Sequence, residues 1–234
     1  MMTSEMSKDA FQRRVNAVRQ RIQRAAERSD RDPRSITLIG VSKTVDRSAI
    51  DVAYAAGLRV FGENRVQDAS QKLTPRLPAD AKVHLIGQLQ SNKAKAAVHL
   101  FDVIESVDRP SLVSALAAAT SDRPHPVPIL LQVNVAREPQ KAGCTSEDTA
   151  TLIESLLSAP GLELRGLMTI APLVADAEIV RPVFAALRAL RGNLRERYPE
   201  LDLSILSMGM SNDFEVAVEE GATHVRVGRA LFQG

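Results

Sequence analysis

Eight short runs rich in Val, Ile and Leu alternate with helical segments between residues 36 and 228. They are "ITLIGVS" (36–42), "LRVFG" (58–62), "VHLIG" (83–87), "DVIESV" (102–107), "ILLQVNV" (129–135), "LRGLMTI" (164–170), "LSILSM" (203–208) and "HVRVG" (224–228). Most lack strict apolar–polar alternation, the pattern of parallel strands covered on both faces. Asp46 opens a helix that Gly57 ends, and another runs from Ser211 or Asn212 as N-cap to Gly221. Pro110 and Pro182 suit the first turns of two further helices. This alternation predicts an α/β fold, a (β/α)8 TIM barrel forming a single domain over residues 1–234. An open doubly wound sheet is the alternative, and no G-x-G-x-x-G follows the first strand to support it.

Ahead of the first strand, "FQRRVNAVRQRIQRAAER" puts Phe11, Val15, Val18 and Ile22 on one face. The spacing predicts an amphipathic helix over about 7–29, its arginines on the solvated side. The formal net charge is only +2 and the aromatic content 3% without tryptophan. That leaves no stacking platform for single-stranded nucleic acid. Cys144 stands alone, so no internal disulfide forms. The N-terminus has no signal-like apolar stretch, and no run approaches the ~20 apolar residues that cross a bilayer. The expectation is a cytoplasmic protein without nucleic-acid or membrane partners. No Cys/His cluster points to a metal.

Chemistry in such a barrel gathers at the C-terminal strand ends. The first of these carries Lys43, directly after "LIGVS". A lysine there either snorkels to water or, among partly desolvated walls, keeps enough neutral amine to attack a carbonyl. The last two strand ends, "SMGMSND" and "RVGRALFQG", have the character of a phosphate site made from backbone N–H groups and a short helix. Candidates there are Ser207, Met208, Ser211, Gly228 and Arg229; tight turns and caps are the plainer alternative. A ligand with both an aldehyde and a phosphate is pyridoxal 5′-phosphate. Asn64, in "GEN", suits a helix N-cap, and His84 opens a strand in a structural role. Arg226 pairs either with a carboxylate such as Glu215 or with a ligand.

The ordered set "VSKT", "FGENRVQ", "HLIGQLQSNK", "GLMTI" and "LSMGMSNDFEVAVEEGATHVRVG" resembles the pyridoxal-phosphate homeostasis proteins, the YggS or PROSC family. The resemblance spans nearly the whole chain. It implies a barrel similar to the cofactor domain of alanine racemase, with Lys43 as the internal-aldimine lysine and Asn64 against the cofactor's face. It further implies phosphate contacts from Ser207, Ser211, Gly228 and the Arg229 backbone, with Met208 also against the cofactor and Arg226 near the pyridine nitrogen. The implied role is non-catalytic: binding the cofactor and balancing B6 vitamers, with pyridoxal-phosphate-dependent apo-enzymes as partners. Three positions depart from the family pattern. Arg229 replaces the common threonine, Arg65 stands where an aromatic or lysine is usual, and "QKAGC" replaces a serine-lysine loop.

Two features argue for binding over turnover. The chain ends at Gly234, just past the eighth strand, leaving no residues for an appended domain that would supply a second acid or base. An arginine near the pyridine nitrogen also opposes its protonation. The rivals are an amino-acid racemase or decarboxylase, a class I aldolase-like barrel and a purely structural barrel.

Overall fold

The structure is a computed structural model describing residues 7–233. Eight parallel strands close into a barrel in chain order. They are β1 (Thr37–Val41), β2 (Val60–Glu63), β3 (Lys82–Leu85), β4 (Val103–Val107), β5 (Val127–Gln132), β6 (Leu162–Met168), β7 (Ile205–Met210) and β8 (His224–Val227). β8 pairs with β1 from Thr37↔His224 to Gly40↔Val227, which closes the ring and brings the two ends of the chain together. This is the expected (β/α)8 TIM barrel, and the open-sheet alternative is excluded.

The helices among the described residues are α1 (Lys8–Arg28), α2 (Arg47–Ala55), α3 (Val66–Lys72), α4 (Ala94–Leu100), α5 (Pro110–Ala119), α6 (Thr149–Leu157), α7 (Arg181–Arg197), α8 (Phe214–Glu219) and α9 (Arg229–Phe232). Asp46 caps α2 through the Ala49 N–H, and Gly57 ends it at φ 91°. Pro110 and Pro182 lie in first turns, as their fixed φ favours.

α9 is barely one turn long, so it cannot cover the seam between β8 and β1. α1 does so instead, packing against α8, α9 and α2. Phe11, Val15, Val18 and Ile22 are all buried, and Phe11 meets the Phe232 ring at 5.2 Å. The arginines of α1 are not simply solvated. Arg14, Arg21 and Arg28 recur every seventh residue, two helical turns apart. Arg14 donates to Leu231 O, Arg21 pairs with Glu215, and Arg28 pairs with Glu219. The periodicity that buried the apolar face thus also aims one basic stripe at α8 and α9.

β7 departs most from the sequence expectation. It runs two residues further, to Met210, because Gly209 at φ +90° carries the chain past Phe214 and Ala217. A Cβ at Gly209 would lie 2.5 Å from the Ala217 Cβ. The N-cap position of α8 is therefore Asp213, not Ser211 or Asn212. Asp213 and Met210 bond reciprocally: Met210 N–H donates to Asp213 Oδ1 at 2.5 Å, and Asp213 N–H to Met210 O at 3.1 Å.

Candidate functional site

A cavity of about 900 Å³ opens at the C-terminal ends of the strands. Lys43, Asn64 and Arg226 line it, together with Val41 and Met210. Its outer wall is built from Arg65 to Asp68 at the start of α3, Gln88 to Gln90 and Lys93 after β3, and Lys141 after β5. The titratable residues of the lining are five cations (Lys43, Arg65, Lys93, Lys141 and Arg226) against one acid, Asp68. Such a lining favours an anionic ligand.

Lys43 sits one residue past the barrel wall, on a turn closed by Val45 N–H to Ser42 O at 3.2 Å. Its side chain is exposed and has no hydrogen bond or ion pair to any described residue. The expected partial enclosure is absent, because the turn lifts Lys43 beyond the end of β1. What is buried is the residue beneath it, Ser42, whose hydroxyl donates to Glu63 Oε1 at 2.6 Å.

Arg226 is held from inside the barrel. Its Nη1 donates to Ser207 Oγ at 2.6 Å and its Nη2 to Thr169 O at 2.7 Å. The Ser207 hydroxyl in turn donates a hydrogen bond to Glu105 Oε2 at 2.5 Å, and the other carboxylate oxygen lies 2.6 Å from His84 Nδ1. Burial is the largest single influence on the Glu105 carboxyl and raises it, but the His84 hydrogen bond and the charges of His84, Arg226 and His224 together outweigh it and push it down to about 2. An ionised carboxylate only accepts, so Nδ1 of His84 carries the proton. Burial lowers Arg226 against the opposing charges of Glu105 and Asp213. His224 stacks on His84 at 5.9 Å, and burial pushes it down to about 4. The alternative partner Glu215 is on the outside of the barrel, bound to Arg21.

The remaining expected residues divide into two layers. Ser207 and Met208 are fully buried in β7 and neither lines the cavity: the Ser207 hydroxyl is committed to Glu105 and Arg226, and Met208 belongs to the hydrophobic core. Ser211 lies on the loop after β7, and Gly228 and Arg229 where the loop after β8 enters α9; none of the three lines the cavity, though Ser211 follows its residue Met210 and Gly228 approaches its residue Val41. Arg229 Nη2 bridges those loops by donating to Asn212 Oδ1 at 3.3 Å, and Gly228 approaches Val41 closely. Asn64 does not cap α3, whose N-cap position is Arg65 with no side-chain bond. Its backbone is pressed by Gly87 instead, where a Cβ would lie 2.3 Å from Asn64 O.

Several residues at the site carried no expectation from sequence. Gln132 is buried in the lining and donates to Ala142 O at 3.2 Å. Lys141 pairs with Glu138. Glu105 did leave a signal: an acid inside "DVIESV", a strand buried on both faces, requires a partner. Lys72 left none, since nothing in "ASQKL" separates it from a surface lysine.

The family described as "Alanine racemase, N-terminal domain" matches residues 14–234. A pyridoxal phosphate homeostasis protein of Aquifex aeolicus (strain VF5) is 42% identical over 219 residues, spanning 94% of this chain and 96% of that protein. The structure of PipY from Synechococcus elongatus PCC7942 with PLP bound is 41% identical, with TM-score 0.78, over 91% of this chain and 99% of that one. Alanine racemase from Corynebacterium glutamicum, 15% identical, shares the fold with TM-score 0.75 over 97% of this chain and 62% of its own. Matched at such identity over nearly its whole length, this chain belongs to the family of the pyridoxal phosphate homeostasis proteins, built on the barrel of the alanine racemase N-terminal domain.

Proposed function

We propose that this protein binds pyridoxal 5′-phosphate at Lys43 and holds it in exchange with the cytoplasmic pool of B6 vitamers and with apo-enzymes, without turning over amino acids. The observation that carries this reading is Lys43 itself. It is an unpartnered amine on an anchored turn, lining a cavity where cations outnumber acids. An aldehyde that also bears a phosphate answers both features, since the amine condenses with it and the cations meet its charge. PipY, a relative 41% identical, has been seen with PLP bound. When bound, the cofactor supplies an aldehyde carbon open to amines and an electron-withdrawing ring.

The other residues take roles consistent with their positions. Ser211, Gly228 and the Arg229 backbone are assigned to the phosphate, on the two loops that Arg229 and Asn212 bridge. In a first helical turn such as that of α9, the N–H groups have no acceptor within the helix. Asn64 is assigned to the ring face and Arg226 to the ring nitrogen. A guanidinium fixed there by Ser207 and Thr169 opposes protonation of that nitrogen, which weakens the electron withdrawal that amino-acid chemistry requires. Ser207 acts from below by orienting Arg226, and Met208 packs in the hydrophobic core.

The test is incubation with pyridoxal 5′-phosphate, followed by borohydride and peptide mass spectrometry, with Lys43→Ala alongside. A visible absorption band lost on reduction, with the label on Lys43 and neither in the variant, is expected. A wild-type protein that takes up no label at Lys43 overturns the reading. Steady stereospecific turnover of any amino acid, abolished by Lys43→Ala, would overturn its non-catalytic half and favour a racemase or decarboxylase.

A further inference from the structure

Lys72 closes α3 and takes no part in the cavity lining, yet its ammonium group is fully engaged. Nζ donates to Glu63 Oε1 at 2.8 Å, to Glu63 Oε2 at 2.9 Å and to Ser42 O at 2.8 Å. The Lys72 side chain is 15% exposed and that of Glu63 1%. Glu63 also accepts the Ser42 hydroxyl, and Ser42 N–H donates to Gly62 O at 3.0 Å. Every polar group of Ser42 is thus tied to β2 or α3. Its carbonyl, which Lys72 holds, is the same one that accepts Val45 N–H to close the turn whose first central residue is Lys43.

We infer that Lys72, through Glu63 and Ser42, is a positioning residue that fixes the turn presenting the Lys43 amine. The inference rests on the reading of Lys43 given above. A buried ion pair is an expensive way to stabilise a barrel wall, since apolar side chains of similar volume pack there as well or better. What they cannot do is donate to the Ser42 carbonyl and accept its hydroxyl, one residue before the reacting amine. An amine on a loosened turn reaches its target from many directions, and misplacement on the ångström scale is costly to a condensation that needs alignment.

The experiment compares wild type with the Lys72→Met/Glu63→Gln double variant, which leaves no lone buried charge, with Lys72→Arg, which keeps the cation, and with Ser42→Ala. Each is first shown to melt cooperatively. Each is then exposed to limiting pyridoxal 5′-phosphate and borohydride, and label is read at Lys43 relative to exposed Lys95 in the same sample. That internal ratio reports alignment and cancels differences in protein amount. The double variant is expected to lose about tenfold in the ratio, with Lys72→Arg recovering most of it. An unchanged ratio in the folded double variant overturns the inference while leaving the cofactor reading intact. If the double variant does not melt cooperatively, Ser42→Ala decides: a lowered ratio supports the inference and an unchanged one overturns it. Wild type labelled no more at Lys43 than at Lys95 overturns the cofactor reading, and the inference with it.

Discussion

Acid should destabilise this barrel through His224, and the size of the effect follows from its surroundings. Burial pushes the imidazole down to about 4; Glu105 pulls the other way, while His84 and Arg226 add to the depression. In the unfolded chain the same group takes up its proton near the usual 6.5. Between those values the unfolded state holds a proton that the folded state lacks, so stability falls as pH falls. At about 1.36 kcal/mol for each tenfold in proton affinity, the full interval contributes about 3 kcal/mol. For a chain of this size that corresponds to roughly 6–12 °C in Tm. Urea unfolding at intervals from pH 7 to 4 measures it, with His224→Asn as the control that cannot titrate. Asparagine keeps a polar group toward Thr223 Oγ1, now 3.0 Å from Nδ1. Wild type should lose about 3 kcal/mol more than the variant over this range. Parallel curves would refute the reasoning, because every other titrating group is common to both proteins. Below that range Glu105 adds a second step of the same sign. Its stabilising charge is complete above 4.5 and is lost as pH falls toward about 2.

Three further outcomes are expected. Phe11→Ala empties a fully buried site against Phe232 and should cost about 3–5 kcal/mol in urea unfolding, since α1 covers the barrel seam; a loss under 1 kcal/mol would mean that α1 is dispensable. Gly87→Ala drives a Cβ into the backbone of Asn64, so the cavity wall must shift. It should weaken pyridoxal 5′-phosphate uptake by spectroscopic titration and lower stability by about 1–3 kcal/mol, and unaltered uptake would count against Asn64 as part of the site. Cys144 is 7% exposed, and burial together with Asp108 and Asp148 pushes its thiol up to about 12. Iodoacetamide at neutral pH should leave it unmodified until urea unfolds the chain, whereas prompt alkylation of native protein would contradict that burial.

The fold was readable because its signal is distributed. Eight Val/Ile/Leu runs and the glycines and prolines between them each repeat one message, and an error of two residues at β7 does not change the count. The mouth of the barrel was readable as far as single residues carry chemistry: Lys43, Asn64 and Arg226 do line one cavity. What sequence could not separate was depth. Ser207 and Ser211 are four positions apart in one motif. Gly209 extends the strand between them, so the first hydroxyl turns inward to Glu105 while the second stays on the loop. No property of either serine distinguishes these fates. Lys72 was hidden for a different reason, since its partners are 9 and 30 residues away and meet it only once β1, β2 and α3 are in place.

The polar groups within the barrel follow one construction, used twice. In β2, Glu63 accepts the hydroxyl of Ser42 and an ammonium from α3; in β4, Glu105 accepts the hydroxyl of Ser207 and an imidazole from β3. Each carboxylate takes the hydroxyl of a serine from another strand, and each serine fixes one cation that lines the cavity. Ser42 does so through the backbone, as the residue before Lys43; Ser207 does so through its side chain, as the acceptor from Arg226. Burying these charged and polar groups costs desolvation that a fully apolar core would avoid. One network joins the end of β1 to β2 and α3, the other spans β3, β4, β7 and β8, and each ends on a cation of the cavity. The remaining buried strand positions are mostly apolar, with Gln132 of β5 and Ser106 of β4 among the exceptions. That shared endpoint is the argument for function: each network terminates on a cation that lines the cavity, and the exposed Lys43 amine can be free at its tip only because its root is not.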